Sequence, residues 1–140
     1  MTRFVLDNTV TMAWCFRDEA NDLSSAVLSR LSDLTDTAVV PVLWLYEVAN
    51  VIALAARRGR ISGRLSTEFL QSLGDLPIEI EHASAVQIFD AVRVVSSQFQ
   101  FTAYDAAYLE LAIRQNLAIA TFDQALARAA RAAKVGVVER

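Results

Sequence analysis

Short uninterrupted apolar runs alternate along the chain with longer stretches in which apolar residues recur every three or four positions, the pattern of strands and helices in turn. Phe4 to Leu6 is the first run and predicts a buried strand that stops at Asp7, with Asn8 and Thr9 turning the chain. Val10 to Phe16 reads as a short helix with Trp14 and Cys15 in the core, and a longer helix from about Glu19 to Leu34 shows Leu23, Val27, Leu28 and Leu31 on one face. Ala38 to Val40 predicts a second strand, and Pro41 opens a helix that runs to about Arg58 and is closed by Gly59. Ser62 starts another helix, with Leu65, Phe69, Leu70 and Leu73 on its inner side. Pro77 to Glu81 alternates apolar and acidic residues like a half-exposed edge strand, and Ala83 to Ser96 predicts a helix buried through Val86, Phe89, Val92 and Val95. After a helix beginning at Phe101, Leu117 to Thr121 reads as a strand. An Ala-rich helix with Arg128, Arg131 and Lys134 follows, and Val135 to Val138 can add a last strand. No repeat or linker interrupts this order. It predicts a single domain over residues 1–140, a three-layer α/β/α sandwich around a mainly parallel central sheet.

Four acids do not fit a plain scaffold. Asp7 and Asp123 close strand-like runs, Asp105 lies in the first turn of the helix FTAYDAAYLELA, and Glu47 lies inside the helix after Pro41. Thr102 to Asp105 has the spacing of a capping box, so helix polarity alone is one reading of Asp105. Yet no Lys or Arg stands three or four positions from it; its neighbours there are Phe101, Thr102, Tyr108 and Leu109. Glu47 is the only charge between Asp36 and Arg57, and Leu43, Trp44, Asn50 and Val51 give it no cation at helical spacing. An ionised acid in such company needs a distant arginine, water, or a cation shared with other acids.

Composition narrows the choice. At 140 residues the chain can bury a sizeable core without staples, and its single cysteine, Cys15, fits a reducing cytoplasm. No signal peptide is visible, and the longest nearly uncharged run, Thr37 to Ala56, is broken by Pro41, Glu47 and Asn50, which argues against a membrane span. A formal charge of −3 gives no whole-chain case for a polyanionic partner. The distribution does: Arg57, Arg58, Arg60 and Arg64 crowd one acid-free window, and neutralising the four acids would turn the net charge positive. The plainer reading of that window is a solvated helix end.

Carboxylates above the carboxyl ends of parallel strands repel one another unless a cation intervenes. An all-oxygen set without His or Cys selects a hard ion, Mg²⁺ or Mn²⁺, and such an ion commonly completes its shell with water and phosphate oxygens. Hydrolysis of a phosphodiester is the chemistry that follows. Thr9, Asn50 and Thr121 are placed to support the carboxylates from behind, ordinary turn chemistry being the alternative for the threonines. Other schemes fail on residues: position 9 is Thr where a phosphoaspartate phosphatase needs Asp, the only lysine is Lys134, there is no phosphate-binding glycine loop, and His82 is the only histidine.

VLDNTV, VPVLWLYEVANVI, TAYDAAYLELA and ATFDQAL, around Asp7, Glu47, Asp105 and Asp123, occur in the order in which PIN-domain ribonucleases carry their acids. The chain resembles that family, and within it the VapC-like toxins of toxin–antitoxin pairs. It departs at Asn8 and Thr9, where Ala and Ser are common, but Thr9 keeps the hydroxyl. The resemblance implies a Mg²⁺-dependent endoribonuclease of the cytoplasm, a homodimer, and a small antitoxin protein as inhibitor. It assigns metal and catalytic roles to Asp7, Glu47, Asp105 and Asp123, and the arginine window would then hold the RNA backbone. A PIN-like module that binds RNA or protein without cutting is the alternative.

Overall fold

The computed structural model describes residues 2–139. Four strands, β1 (Thr2–Leu6), β2 (Asp36–Pro41), β3 (Ile78–Glu81) and β4 (Ala118–Ala120), form one sheet in the order β3-β2-β1-β4. Every pairing is parallel: Phe4 lies opposite Ala38 on one side and Ala118 on the other, and Ala38 lies opposite Ile78. Phe4 to Leu6 and Ala38 to Val40 are buried at every position, which requires cover on both faces, and this continuous burial is why the runs are apolar without alternation. β3, on the edge, is half exposed as its sequence predicts, but its exposure does not alternate: Ile80 is exposed while Glu81 is half-buried.

Seven α-helices provide the cover: α1 (Asn8–Cys15), α2 (Asp22–Ser32), α3 (Val42–Arg57), α4 (Gly63–Gly74), α5 (Arg93–Phe99), α6 (Ala103–Gln115) and α7 (Gln124–Ala132). None of them is long and apolar enough to cross a membrane. Pro41 sits just outside α3 with φ −71° and ψ 159°, and Gly59 takes φ +71° where α3 ends, a left-handed conformation that suits glycine. Asn21 and Ser24 close a capping box on α2, so this helix begins later than its apolar spacing predicts, after a short 3₁₀ turn at Arg17–Glu19. Arg30 on α2 pairs with the buried carboxylate of Asp36 at the start of β2 and lies 5.5 Å above the Phe4 ring, pinning the helix to the sheet.

Three expectations change. The helix predicted over Ala83 to Ser96 contains a π turn, Gln87–Val92, before α5. The wider turn rotates Val86 and Phe89 into solvent, each 68% exposed, while Val92 and Val95 stay buried. On α4, which packs on α3, only Leu73 is buried, and Leu65 and Leu70 are exposed. Val135 to Val138 contributes a single parallel bridge, Val137 to Ile119, rather than a strand.

Topology gathers the acids. Parallel pairing brings Leu6, Pro41, Glu81 and Ala120 to one edge of the sheet, so Asp7, the start of α3 and Thr121 all emerge there. α6 runs back along the sheet before β4, which sets its first turn, and with it Asp105, at the same edge. The order reverses at β1, whose two neighbours are β2 and β4. Such a switch point opens a crevice at the strand ends.

Candidate active site

Asp7 is 6% exposed. It precedes α1 without capping it. Its carboxylate instead accepts two hydroxyls on the same oxygen: Thr9 Oγ1 at 2.7 Å and Thr121 Oγ1 at 2.6 Å, both to Oδ2. The two threonines are themselves held by the turn that follows β4, because Phe122 N–H donates to Thr9 Oγ1 and Asp123 N–H donates to Thr121 Oγ1, each at 3.0 Å. Burial pushes the Asp7 carboxyl above its ordinary range, the two hydroxyls and the Asn8 N–H pull it back, and the charge of Asp123 adds to the rise.

Glu47 is half-buried on α3, nearly two turns from Pro41. The turn before it is fixed by Trp44, whose indole N–H donates to the buried Thr11 hydroxyl of α1 at 3.0 Å. The Tyr108 hydroxyl on α6 donates to Glu47 Oε1. Burial raises the Glu47 carboxyl, Tyr108 opposes that, and the charges of Asp7 and Asp105 raise it further. Asp105 receives the Thr102 cap, its N–H donating to Thr102 Oγ1 at 3.2 Å. Burial and then the charge of Asp123 raise its carboxyl. Asp123 caps α7: its Oδ1 accepts the N–H groups of Ala125 at 2.9 Å and Leu126 at 3.2 Å.

Each acid therefore sits within the field of at least one other, and no Lys or Arg enters the balance for Asp7, Glu47 or Asp105. The grouping stops short of a finished cage. Among the described residues, no three His, Cys, Asp or Glu side chains form a group that could hold an ion as they stand. Uncompensated like charges keep apart. An octahedral Mg²⁺ takes only one or two carboxylates directly and reaches others through its waters, so a loose all-oxygen set suits it. Asn8 Oδ1, one residue from Asp7, is buried and has no hydrogen-bond partner, a further oxygen of the kind a hydrated cation satisfies.

The remaining sequence candidates separate. Thr9 and Thr121 hold Asp7, whereas Asn50 is exposed on α3 and hydrogen-bonds to none of the four acids. Arg60 is paired with Asp18 and Glu19 and lies 3.9 Å over the Phe16 ring, and Arg64 pairs with Glu68. Arg57 and Arg58 are exposed at the end of α3, about 15 Å along the helix from Glu47 at 1.5 Å per residue. His82 is exposed in the loop after β3. Tyr108 is the site residue that sequence spacing missed: its apolar neighbours mark it as packing, and only the tertiary fold shows that its hydroxyl meets an acid 61 positions away.

The family model of the PIN domain matches residues 4–132. The chain belongs to the PIN domain family. Solved structures share the PIN fold with it at low identity. The crystal structure of PAE2754 from Pyrobaculum aerophilum aligns with a TM-score of 0.72 and 19% identity, covering 98% of this chain and 88% of that one. VapBC2 from Rickettsia felis, bound to a DNA fragment from their promoter, aligns at 0.66 and 14% over 99% and 98%. A toxin–antitoxin complex from Klebsiella pneumoniae aligns at 0.59 and 12% over 86% of each chain. A search of curated proteins finds no match. At these identities the structural likeness is one of PIN fold, and the family assignment rests on the sequence match.

Proposed function

We propose that this PIN domain is a metal-dependent endoribonuclease and the toxin of a toxin–antitoxin pair. The observation that carries the reading is the field shared by Asp7, Glu47, Asp105 and Asp123 at the sheet's switch point, with no internal cation relieving the first three. These four residues would hold Mg²⁺, or Mn²⁺ in its place. Bound there, the ion supplies positive charge to the phosphodiester and acidifies a water for attack. The chain's own part is placement. Thr9 and Thr121 fix Asp7, the α7 cap fixes Asp123, and Thr102 fixes the turn that carries Asp105. Addition of water to phosphorus with release of the 3′ oxygen leaves a 5′-phosphate and a 3′-hydroxyl.

Two tyrosines support an unpaired nucleic-acid strand as substrate. Tyr46 and Tyr104 immediately precede Glu47 and Asp105 and are 72% and 65% exposed, available for bases to stack upon. Arg57 and Arg58 extend the surface toward phosphates further along the strand, while Arg60 and Arg64 are engaged in ion pairs. The toxin role and the small antitoxin partner are carried over from the likeness to VapBC2 and to the Klebsiella complex, and a homodimer and a cytoplasmic location belong to the same reading.

Cleavage mapping on total RNA with Mg²⁺, with EDTA, and with Asp105→Asn protein tests the proposal. Expected are cuts by wild type that need Mg²⁺, and none by the folded variant. Asp105→Asn protein cutting at the wild-type rate removes the assignment. The open spacing of the acids favours one second reading, a PIN module that binds RNA without cutting. Full RNA binding by wild type with no Mg²⁺-dependent cleavage would establish it.

A further inference from the structure

We propose that Tyr108 is a positioning residue for Glu47, its hydroxyl holding one carboxylate oxygen so that the other is presented to the divalent ion. The inference rests on the reading of the acids as a metal site. Tyr108 is 1% exposed and stands on α6 one turn beyond Asp105, so the helix that carries one acid also reaches across to the helix that carries another. Phenylalanine would fill the same space. A buried hydroxyl costs stability unless it is satisfied, and this one is satisfied by Glu47 Oε1. A phenol carries its proton at neutral pH, so the hydroxyl is a donor to Glu47 Oε1.

The arrangement repeats across the site. Asp7 takes both threonine hydroxyls on Oδ2, Asp123 takes both backbone N–H groups on Oδ1, and Glu47 takes Tyr108 on Oε1. In each, these side-chain or cap bonds fall on one oxygen; among the described residues Asp123 Oδ2 and Glu47 Oε2 have no hydrogen-bond donor, while the Asn8 N–H also reaches the Asp7 carboxylate. Glutamate needs the anchor most. It has one more rotatable bond than aspartate, and a half-exposed Glu without a partner would spread over several rotamers. Tyr108 is the only hydrogen-bond donor to Glu47 among the described residues, and no arginine stands in for it.

The test is Mn²⁺ binding by the full chain without RNA, followed by the electron paramagnetic resonance signal of the free ion, for wild type, Tyr108→Phe, Glu47→Gln and the double variant. Far-ultraviolet circular dichroism and thermal melts accompany each. Tyr108→Phe is expected to keep the fold and weaken Mn²⁺ binding about tenfold, the usual scale for a residue that orients a ligand. In the Glu47→Gln background the same substitution is expected to add nothing, because the residue it acts through is already changed. Tyr108→Met, which also lacks the hydroxyl, is read by the same criteria should the Phe variant fold poorly. Wild-type affinity in a folded Tyr108 variant overturns the proposal, as does an equal loss in both backgrounds, which marks a general structural role. No Mn²⁺ binding by wild type overturns the metal reading itself and the proposal with it, an outcome distinct from the other two.

Discussion

Asp7, Glu47 and Asp105 all have carboxyls raised by burial, and this makes the site a source of instability at neutral pH. A group whose folded pKa exceeds its unfolded value leaves the native state with more bound protons, so stability falls as pH rises from the ordinary carboxyl values, 3.8 for Asp and 4.5 for Glu, through the raised ones. Asp7→Asn removes that penalty and leaves an amide oxygen to accept the Thr9 and Thr121 hydroxyls. In EDTA at pH 7.5 the variant is expected to melt above wild type, by about 4 °C for each kcal/mol gained. The gap should narrow as pH falls toward 3.8. A variant that melts lower at pH 7.5 would show that the hydroxyls' preference for a charged acceptor outweighs burial. The opposite sign holds at Glu81, which Arg114 keeps below the usual carboxyl range: its contribution is present above pH 4.5 and is lost as pH falls through the folded value.

Arg114 also shows how elements are locked. From the last turn of α6 its guanidinium grips Glu81 at the end of β3 with two bonds, 2.6 and 2.7 Å, and reaches back to the buried Glu110 at 2.8 Å. The bridge holds the far end of the helix that carries Asp105 and Tyr108. Arg114→Met should cost about 2 kcal/mol in urea unfolding, below the range for a fully buried pair because the arginine is partly in water, and Glu110→Gln should recover part of it. A cost near zero would mean that water serves Glu110 equally well. What the sequence disclosed follows the same division. Strand ends, the Thr102 cap and the lone acids are local patterns, and they predict where the site lies. The ion pairs that occupy Arg60 and the bond made by the Tyr108 hydroxyl are set by partners far along the chain, and apolar periodicity carries no trace of them or of the π turn that exposes Phe89.

For the whole molecule the decisive fact is strand order. β1 lies between β2 and β4, so the first strand made is flanked by the last, and Asp7 is bonded to Thr121 across 114 residues. This order sets the ends of β1 and β4 side by side, which is why segments scattered over the sequence could be read as one site. It also separates the making of the chain from the making of the centre. A growing polypeptide has Asp7 and Glu47 early, but it lacks Thr121 and Asp123 until nearly all of the domain has left the ribosome. Until β4 docks beside β1, Asp7 has no Thr121 to hold it and Asp123 has no helix to cap. A ribosome-bound fragment ending before residue 118 is expected to leave RNA intact even with Mg²⁺ present. An enzyme acting as proposed would thereby stay harmless to the messenger that encodes it for most of its own synthesis.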